Sequence, residues 1–177
     1  QMNMHLRPSP LVLQFMPQLK GTDTIGAKIL FNSAQNDLDL SLQSPKIQFG
    51  EQAIEQLNVT ASTKEKQLDY NITMNKAGSK NFQLYETSLS GYLANNTLTT
   101  SLLLKDQKQA NRYHVAATVN QVADGIKFAL NPDSLLLNYN EWQVSKDNFI
   151  QYDSTGIIAN NFNISNKDQS LRINSAS

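Results

Sequence analysis

Two histidines, a scatter of carboxylates and no cysteine make up most of the chain's acid–base and metal-binding chemistry. His5 and His114 lie far apart, and no second imidazole stands at a spacing that would let the two share a metal. His114 sits in RYHVAATV, out of phase with Tyr113 and Val115, which reads as a position on the wet face of a strand. His5 falls in an irregular opening and reads as inert. Asp37 and Asp39 stand two apart and so share one face of a strand. A divalent-cation site there would need more oxygen donors than the turn beside them supplies, so they read as a solvated outer face. Asp147, Asp153 and Asp168 lie in turn-like contexts, where a short carboxylate bonds its own backbone. No G-x-S-x-G elbow and no Ser-x-x-Lys unit activates any of the many hydroxyls. Gly78, Gly91 and Gly125 are isolated and build no phosphate cradle. The absence of Cys removes disulfides, thiol catalysis and Cys-ligated metals. Four Asn-x-Ser/Thr sequons, at Asn58, Asn71, Asn95 and Asn163, are expected by chance in a chain with 20 Asn. The chain is therefore read as non-enzymatic, with no cofactor and no metal.

What remains is apolar patterning. The 15 basic and 15 acidic side chains cancel, and their scattered signs exclude the basic stripe that a nucleic-acid groove needs. Asn and Gln, 20 and 16 of them, stand where charged residues usually would. No run approaches 18 apolar residues, so no segment reads as a membrane-spanning helix. No charged segment followed by an apolar core opens the chain as a signal peptide would. The chain opens at Gln1 and stops at Ser177 just after a strand-like run, which reads as a piece of a longer protein.

From Thr24 onward apolar and polar residues alternate at period two, the signature of strands with one buried face. Leu38, Leu40 and Leu42 alternate with Asp37, Asp39 and Ser41. Leu68, Tyr70, Ile72 and Met74 follow the same rule, as do Tyr113, Val115, Ala117 and Val119. Ile126, Phe128 and Leu130 form another set. Shorter sets are Leu98, Leu102 and Leu104; Leu135, Leu137 and Tyr139; Trp142 and Val144; Phe162 and Ile164; Leu171 and Ile173. A helix would spread these residues round its circumference.

Turn chemistry separates the runs, as in Ala34-Gln35-Asn36, Phe49-Gly50-Glu51, Ala94-Asn95-Asn96, Ala123-Asp124-Gly125 and Asp153–Gly156. Gln43-Ser44-Pro45 and Asn131-Pro132-Asp133 read as turns too. Strands joined by short turns predict an antiparallel meander rather than βαβ crossovers. Residues 1–20 differ: Ser9-Pro10 suits a helix start, Leu11, Phe15 and Leu19 recur every fourth residue, and Pro17 ends the run. The segment 1–20 is read as a helical or irregular lead-in, with a helix near Pro10–Met16 and a strand ending at Pro17 as the rival. Residues 21–177 are read as one β unit. Bulges are expected near Leu84-Tyr85-Glu86 and Ile157-Ile158.

Three stretches carry a family resemblance: SPLVLQFMPQLKG, DLDLSLQSPKIQFG and NYNEWQVSKDNFIQYDSTGIIANNFNISNKDQSL. In this order they resemble the recurring units of the inner-membrane component of the translocation and assembly module (TamB-like, within the AsmA-like group), in its Bacteroidetes-type form. The resemblance implies a U-shaped, taco-like antiparallel sheet with an apolar concave groove, in a long periplasmic protein anchored in the inner membrane. It implies a role in outer-membrane biogenesis, with phospholipid acyl chains conducted along the groove. An outer-membrane β-barrel of the Omp85 type is the implied partner, its contact lying outside this piece. On this reading Leu38, Leu40, Leu42, Leu68, Tyr70, Ile72, Met74, Leu98, Leu102, Leu104, Tyr113, Val115, Val119, Ile126, Phe128, Leu130, Leu135, Leu137, Trp142, Phe162 and Ile164 line the groove. The alternative is a chaperone-like groove that assists assembly of outer-membrane barrels or autotransporters. Without the resemblance, alternating leucines point to an ordinary sheet interior.

Overall fold

The computed structural model describes residues 2–7, 9–19 and 21–175. Strands dominate it, as the alternation requires: β1 (Met2–Leu6), β2 (Ile25–Asn32), β3 (Asp37–Phe49), β4 (Gln52–Lys64), β5 (Gln67–Gly78), β6 (Gln83–Ala94), β7 (Thr97–Lys105), β8 (Asn111–Val122) and β9 (Gly125–Leu137). Six short strands follow: β10 (Asn140–Glu141), β11 (Gln143–Val144), β12 (Phe149–Asp153), β13 (Gly156–Asn160), β14 (Phe162–Asn166) and β15 (Gln169–Ile173). One helix, α1 (Pro10–Phe15), precedes β2.

β1 to β9 pair in chain order, then β12 and β13 complete an antiparallel meander, with β10 attached to β9. This 12-stranded sheet does not close on itself, consistent with an elongated, curled sheet. A second sheet holds β11, β14 and β15. Two-residue turns set the register: Glu65-Lys66 and Asn95-Asn96 each place both central residues at positive φ, the hairpin geometry that Asn favours.

Irregularities cross the middle of the sheet. Gln56 adopts φ 53° in β4, and Glu86 adopts φ 33° in β6, where the pairing steps from Tyr85–Lys105 to Thr87–Leu104. This is the bulge expected at Leu84-Tyr85-Glu86, whereas β12 and β13 run in register through Ile157 and Ile158. Two expected turns lie inside strands. Pro45 falls within β3, where pairing with β2 has stopped at Gln43 and the β4 register skips it, so its missing N–H costs no ladder bond. Asn131-Pro132-Asp133 belongs to a bulge in β9: the ladder steps from Leu130 to Leu135 while β8 steps from Ala117 to Val115. The odd excess of residues keeps both leucines on one face.

At the N-terminus the helix forms as the Ser9-Pro10 start predicts, with Leu13 N–H donating to the Ser9 carbonyl at 2.9 Å. Met2–Leu6, expected within a helical or irregular lead-in, is instead an edge strand, paired from Met2–Ile29 to Leu6–Ile25. The sheet therefore begins before residue 20. No helix among the described residues is long and apolar enough to cross a membrane.

The core is concentrated at one end. Ala117, Leu130, Leu135, Val144 and Phe162 are buried together, with Val115, Phe128, Leu137, Trp142, Ile150 and Ile164 packed against them. Here the small sheet lies over β8 and β9, and Phe128 meets Phe162 at 6.4 Å between ring centroids. Among the described residues, no fully buried apolar side chain comes from β1 to β4, β6 or β7. That half of the molecule is a single layer.

Candidate functional site

Residues directly opposite one another in an antiparallel ladder share a face. Following partners from strand to strand therefore traces rows across the sheet. One row runs Thr63, Leu68, Leu93, Leu98, Val119, Phe128, Ile150 and Ala159. The next runs Ile29, Leu40, Ala61, Tyr70, Gly91, Thr100, Ala117 and Leu130. A third runs Ala27, Leu42, Val59, Ile72, Leu89, Leu102, Val115 and Leu135. A shorter row joins Met74, Thr87, Leu104, Tyr113 and Leu137. Ile126 continues the same face beside Gln121 and Tyr152, and Leu38 does so opposite Phe31. Every groove residue expected from the large sheet therefore falls on one face.

The opposite face mixes polar rows with the apolar row Ile47, Ile54, Ala77 and Leu84. One of its rows runs Lys28, Ser41, Thr60, Asn71, Ser90 and Ser101. His114 belongs to this face; it is half-buried between Leu103 and Leu136, and its Nε2 lies 2.9 Å from the Ser101 hydroxyl.

The apolar face is hollowed at one edge, by the Glu65-Lys66, Asn95-Asn96 and Ala123-Asp124 turns. A cavity of about 770 Å³ touches Thr63 and Leu68, Leu93 and Leu98, and Val119 and Ile126, one face of six consecutive strands. One volume can touch the same face of six strands only where that face is hollowed. One row further from the turns, the Tyr70 hydroxyl donates to Thr100 Oγ1 at 2.7 Å, beside Gly91. A Cβ on Gly91 would meet that hydroxyl at 2.8 Å and the Thr99 carbonyl oxygen at 1.9 Å. The absent side chain leaves room for that hydroxyl and for the Thr99 carbonyl.

Coverage divides the expected lining in two. Leu38, Leu40, Leu42, Leu68, Tyr70, Ile72, Met74, Leu98, Leu102, Leu104, Tyr113 and Val119 are half-buried, and Ile126 is 51% exposed, with no second layer over them. Leu130, Leu135 and Phe162 are corrections to the sequence reading. They are at most 9% exposed and form the core under the small sheet, so nothing can line a groove with them in this arrangement. Phe162 and Ile164 belong to β14 of that small sheet, and Trp142 precedes β11; with Val115, Phe128 and Leu137 they pack round the same core. The Trp142 backbone N–H also donates to the Leu135 carbonyl at 2.8 Å.

The polar candidates take structural places. Asp153 accepts from the Thr155 hydroxyl and amide and from Gln151, and the Thr155 hydroxyl above all holds its carboxyl below the ordinary aspartate value. Asp37, Asp39, Asp147 and Asp168 are exposed, as is His5 on the edge strand. Among the described residues, no three His, Cys, Asp or Glu side chains gather where they could hold a metal.

Sequence reasoning missed one cluster. At the strand ends opposite the first cavity, three turns assemble a second hollow of about 640 Å³, lined by Phe82, Tyr85, Lys105, Asp106, Lys108, Arg112, Tyr113 and Tyr139 among others. The Arg112 guanidinium stacks between Tyr113 and Tyr139, 5.3 and 5.8 Å from their centroids, and its Nε donates to Asn138. Asp106 accepts from the Tyr139 hydroxyl at 2.8 Å and from the amides of Lys108 and Ala110. The Tyr139 bond, first, and those amides hold its carboxyl low, and the same bond raises the Tyr139 phenol. Glu86 is held low by Gln109 and by Lys105, its ion-pair partner at 3.2 Å. No local spacing announces a cluster drawn from three separate turns.

Comparison of the chain with protein-family models, with curated proteins and with solved structures finds no significant match.

Proposed function

We propose that the chain is a non-enzymatic lipid-binding segment whose apolar face holds acyl chains. One observation carries this reading: the aliphatic row Ala27, Leu42, Val59, Ile72, Leu89 and Leu102 runs unbroken from β2 to β7 on a face against which the small sheet does not pack. Along β7 the apolar face runs from Leu98 to Leu104, six residues at ~3.4 Å each or about 20 Å. An acyl chain spans half the hydrocarbon core of a bilayer, about 15 Å, and fits lengthwise. A dozen methylenes removed from water contribute roughly 10 kcal/mol when fully enclosed, and about half that on a trough that covers one side. The Tyr70 and Thr100 hydroxyls on this face bond to each other, so they offer a sliding chain no deep polar anchor.

The resemblance to TamB-like proteins supports the wider proposal. In a long inner-membrane-anchored protein of the periplasm, this segment would be one stretch of a phospholipid conduit toward the outer membrane, ending at an Omp85-type barrel beyond it. The direct test is native mass spectrometry of protein purified without detergent, followed by titration with a fluorescent fatty acid. Bound phospholipid, and a fatty-acid signal lost in Leu102→Arg, support the reading. Absence of both from the wild-type protein overturns it.

A further inference from the structure

The two edges of the apolar face differ in chemistry. The hollow at the Glu65, Asn95 and Asp124 turns has no aromatic lining residue and pairs one lysine with one aspartate. The hollow at the opposite strand ends is rich in tyrosine and cations, and it opens directly onto Leu104 and Tyr113, which belong to the apolar face. Not all of its charges are free. Lys105 is tied to Glu86, and both Asp106 oxygens accept bonds from its own loop and from Tyr139. Arg112 and Lys108 remain. Arg112 is held by two aromatic faces and spends its Nε on Asn138, while its Nη atoms make no hydrogen bond among the described residues. Lys108 is exposed and forms no ion pair among the described residues. A planar guanidinium fixed in this way presents a fork that matches two oxygens of a phosphate. Tyrosine rings at the boundary between an oily surface and water suit the glycerol and ester region of a lipid, with one apolar and one wet end.

We propose that this edge is the headgroup site of the groove, with the phosphate of an anionic glycerophospholipid on Arg112 and Lys108 and its tails entering over Leu104 and Leu102. The inference rests on the acyl-chain reading and adds polarity to it: lipids lie with their heads at the Arg112 edge and their tails toward the Leu98 edge.

The test uses three lipids with identical tails: phosphatidylglycerol, phosphatidylcholine and diacylglycerol. Each competes with a tail-labelled fluorescent fatty acid on the wild-type protein and on the Arg112→Gln/Lys108→Gln double variant, at low and high salt. The expected result is about tenfold tighter binding of phosphatidylglycerol than diacylglycerol by the wild type, a preference that shrinks with salt. The double variant should lose the preference and bind diacylglycerol unchanged. Equal affinities for all three lipids in the wild type overturn the headgroup site and leave the acyl-chain reading standing. So does a uniform loss in the double variant, or displacement of phosphatidylglycerol by inorganic phosphate at equal concentration. No binding of any lipid, diacylglycerol included, overturns the acyl-chain reading and this inference with it. Thermal melting of the double variant at the wild-type temperature excludes a folding defect.

Discussion

Arginine at Leu102 and arginine at Leu135 put one charge into the same row of the same face, two ladder steps apart, with different consequences. Leu135 is 7% exposed in the core beneath the small sheet. Losing a buried leucine there costs about 2–5 kcal/mol in contacts and cavity. An unpaired guanidinium enclosed among Val144, Phe162 and Leu130 costs several kcal/mol more. Against a total stability of about 5–15 kcal/mol, Leu135→Arg should abolish cooperative folding at this end of the molecule. Leu102 is half-buried and lies outside the core under the small sheet. There the arginine stem can lie along the face while its head reaches water, so the cost is about 1 kcal/mol of lost apolar burial. For a chain of this size that lowers the melting temperature by roughly 2–4 °C. Trp142 is the natural reporter, because it is the sole tryptophan and packs against the core that Leu135 anchors. Its emission should shift red in Leu135→Arg and stay unchanged in Leu102→Arg, with fatty-acid binding lost in the latter. If Leu102→Arg unfolds as completely as Leu135→Arg, the face at β7 is covered and the open-trough argument fails.

Asn148→Ala should cost about 3 kcal/mol in urea unfolding, since the buried Asn148 amide satisfies the Leu130 N–H, the Leu130 carbonyl and the Ser145 carbonyl at 2.7–2.9 Å; an unchanged midpoint would refute this. Gly91→Ala should destabilise by about 1–3 kcal/mol, because its Cβ would sit 1.9 Å from the Thr99 carbonyl oxygen and β6 would have to move; calorimetry checks it. The Asp106 carboxyl should titrate below the ordinary aspartate value and rise toward it in Tyr139→Phe, as followed by carbon NMR. Because the folded value is the lowered one, its stabilising effect is full above the ordinary value and fades as pH falls through the folded one; a Tyr139→Phe protein with the same acid profile would count against the bond.

Period two was enough to read which residues share a face, and the reason is geometric: a strand has two sides, and Leu68, Tyr70, Ile72 and Met74 had to stand on one of them. The register then carried that choice from β2 to β9 through short turns that Asn, Gly and Asp announce. Pro45 and Pro132 misled because proline signals a break in one strand's own ladder, whereas a bulge or an unpaired stretch absorbs the same break without reversing the chain. Coverage was the larger loss. Leu102 and Leu135 carry the same pattern, yet one lies in the single layer and the other in a packed core, and the difference lies in β11 and β14, whose short alternations do not say which strands they cover. A two-residue strand such as Gln143-Val144 is held by its partner Ile164 and by the core under Val144, contacts that no local spacing encodes. The Arg112 cluster was hidden for the same reason, since its members belong to three turns that meet only when the meander has folded. Alternation therefore fixes the side of the sheet on which apolar residues lie, and long-range packing decides whether that side becomes an interior or an open surface able to receive a ligand.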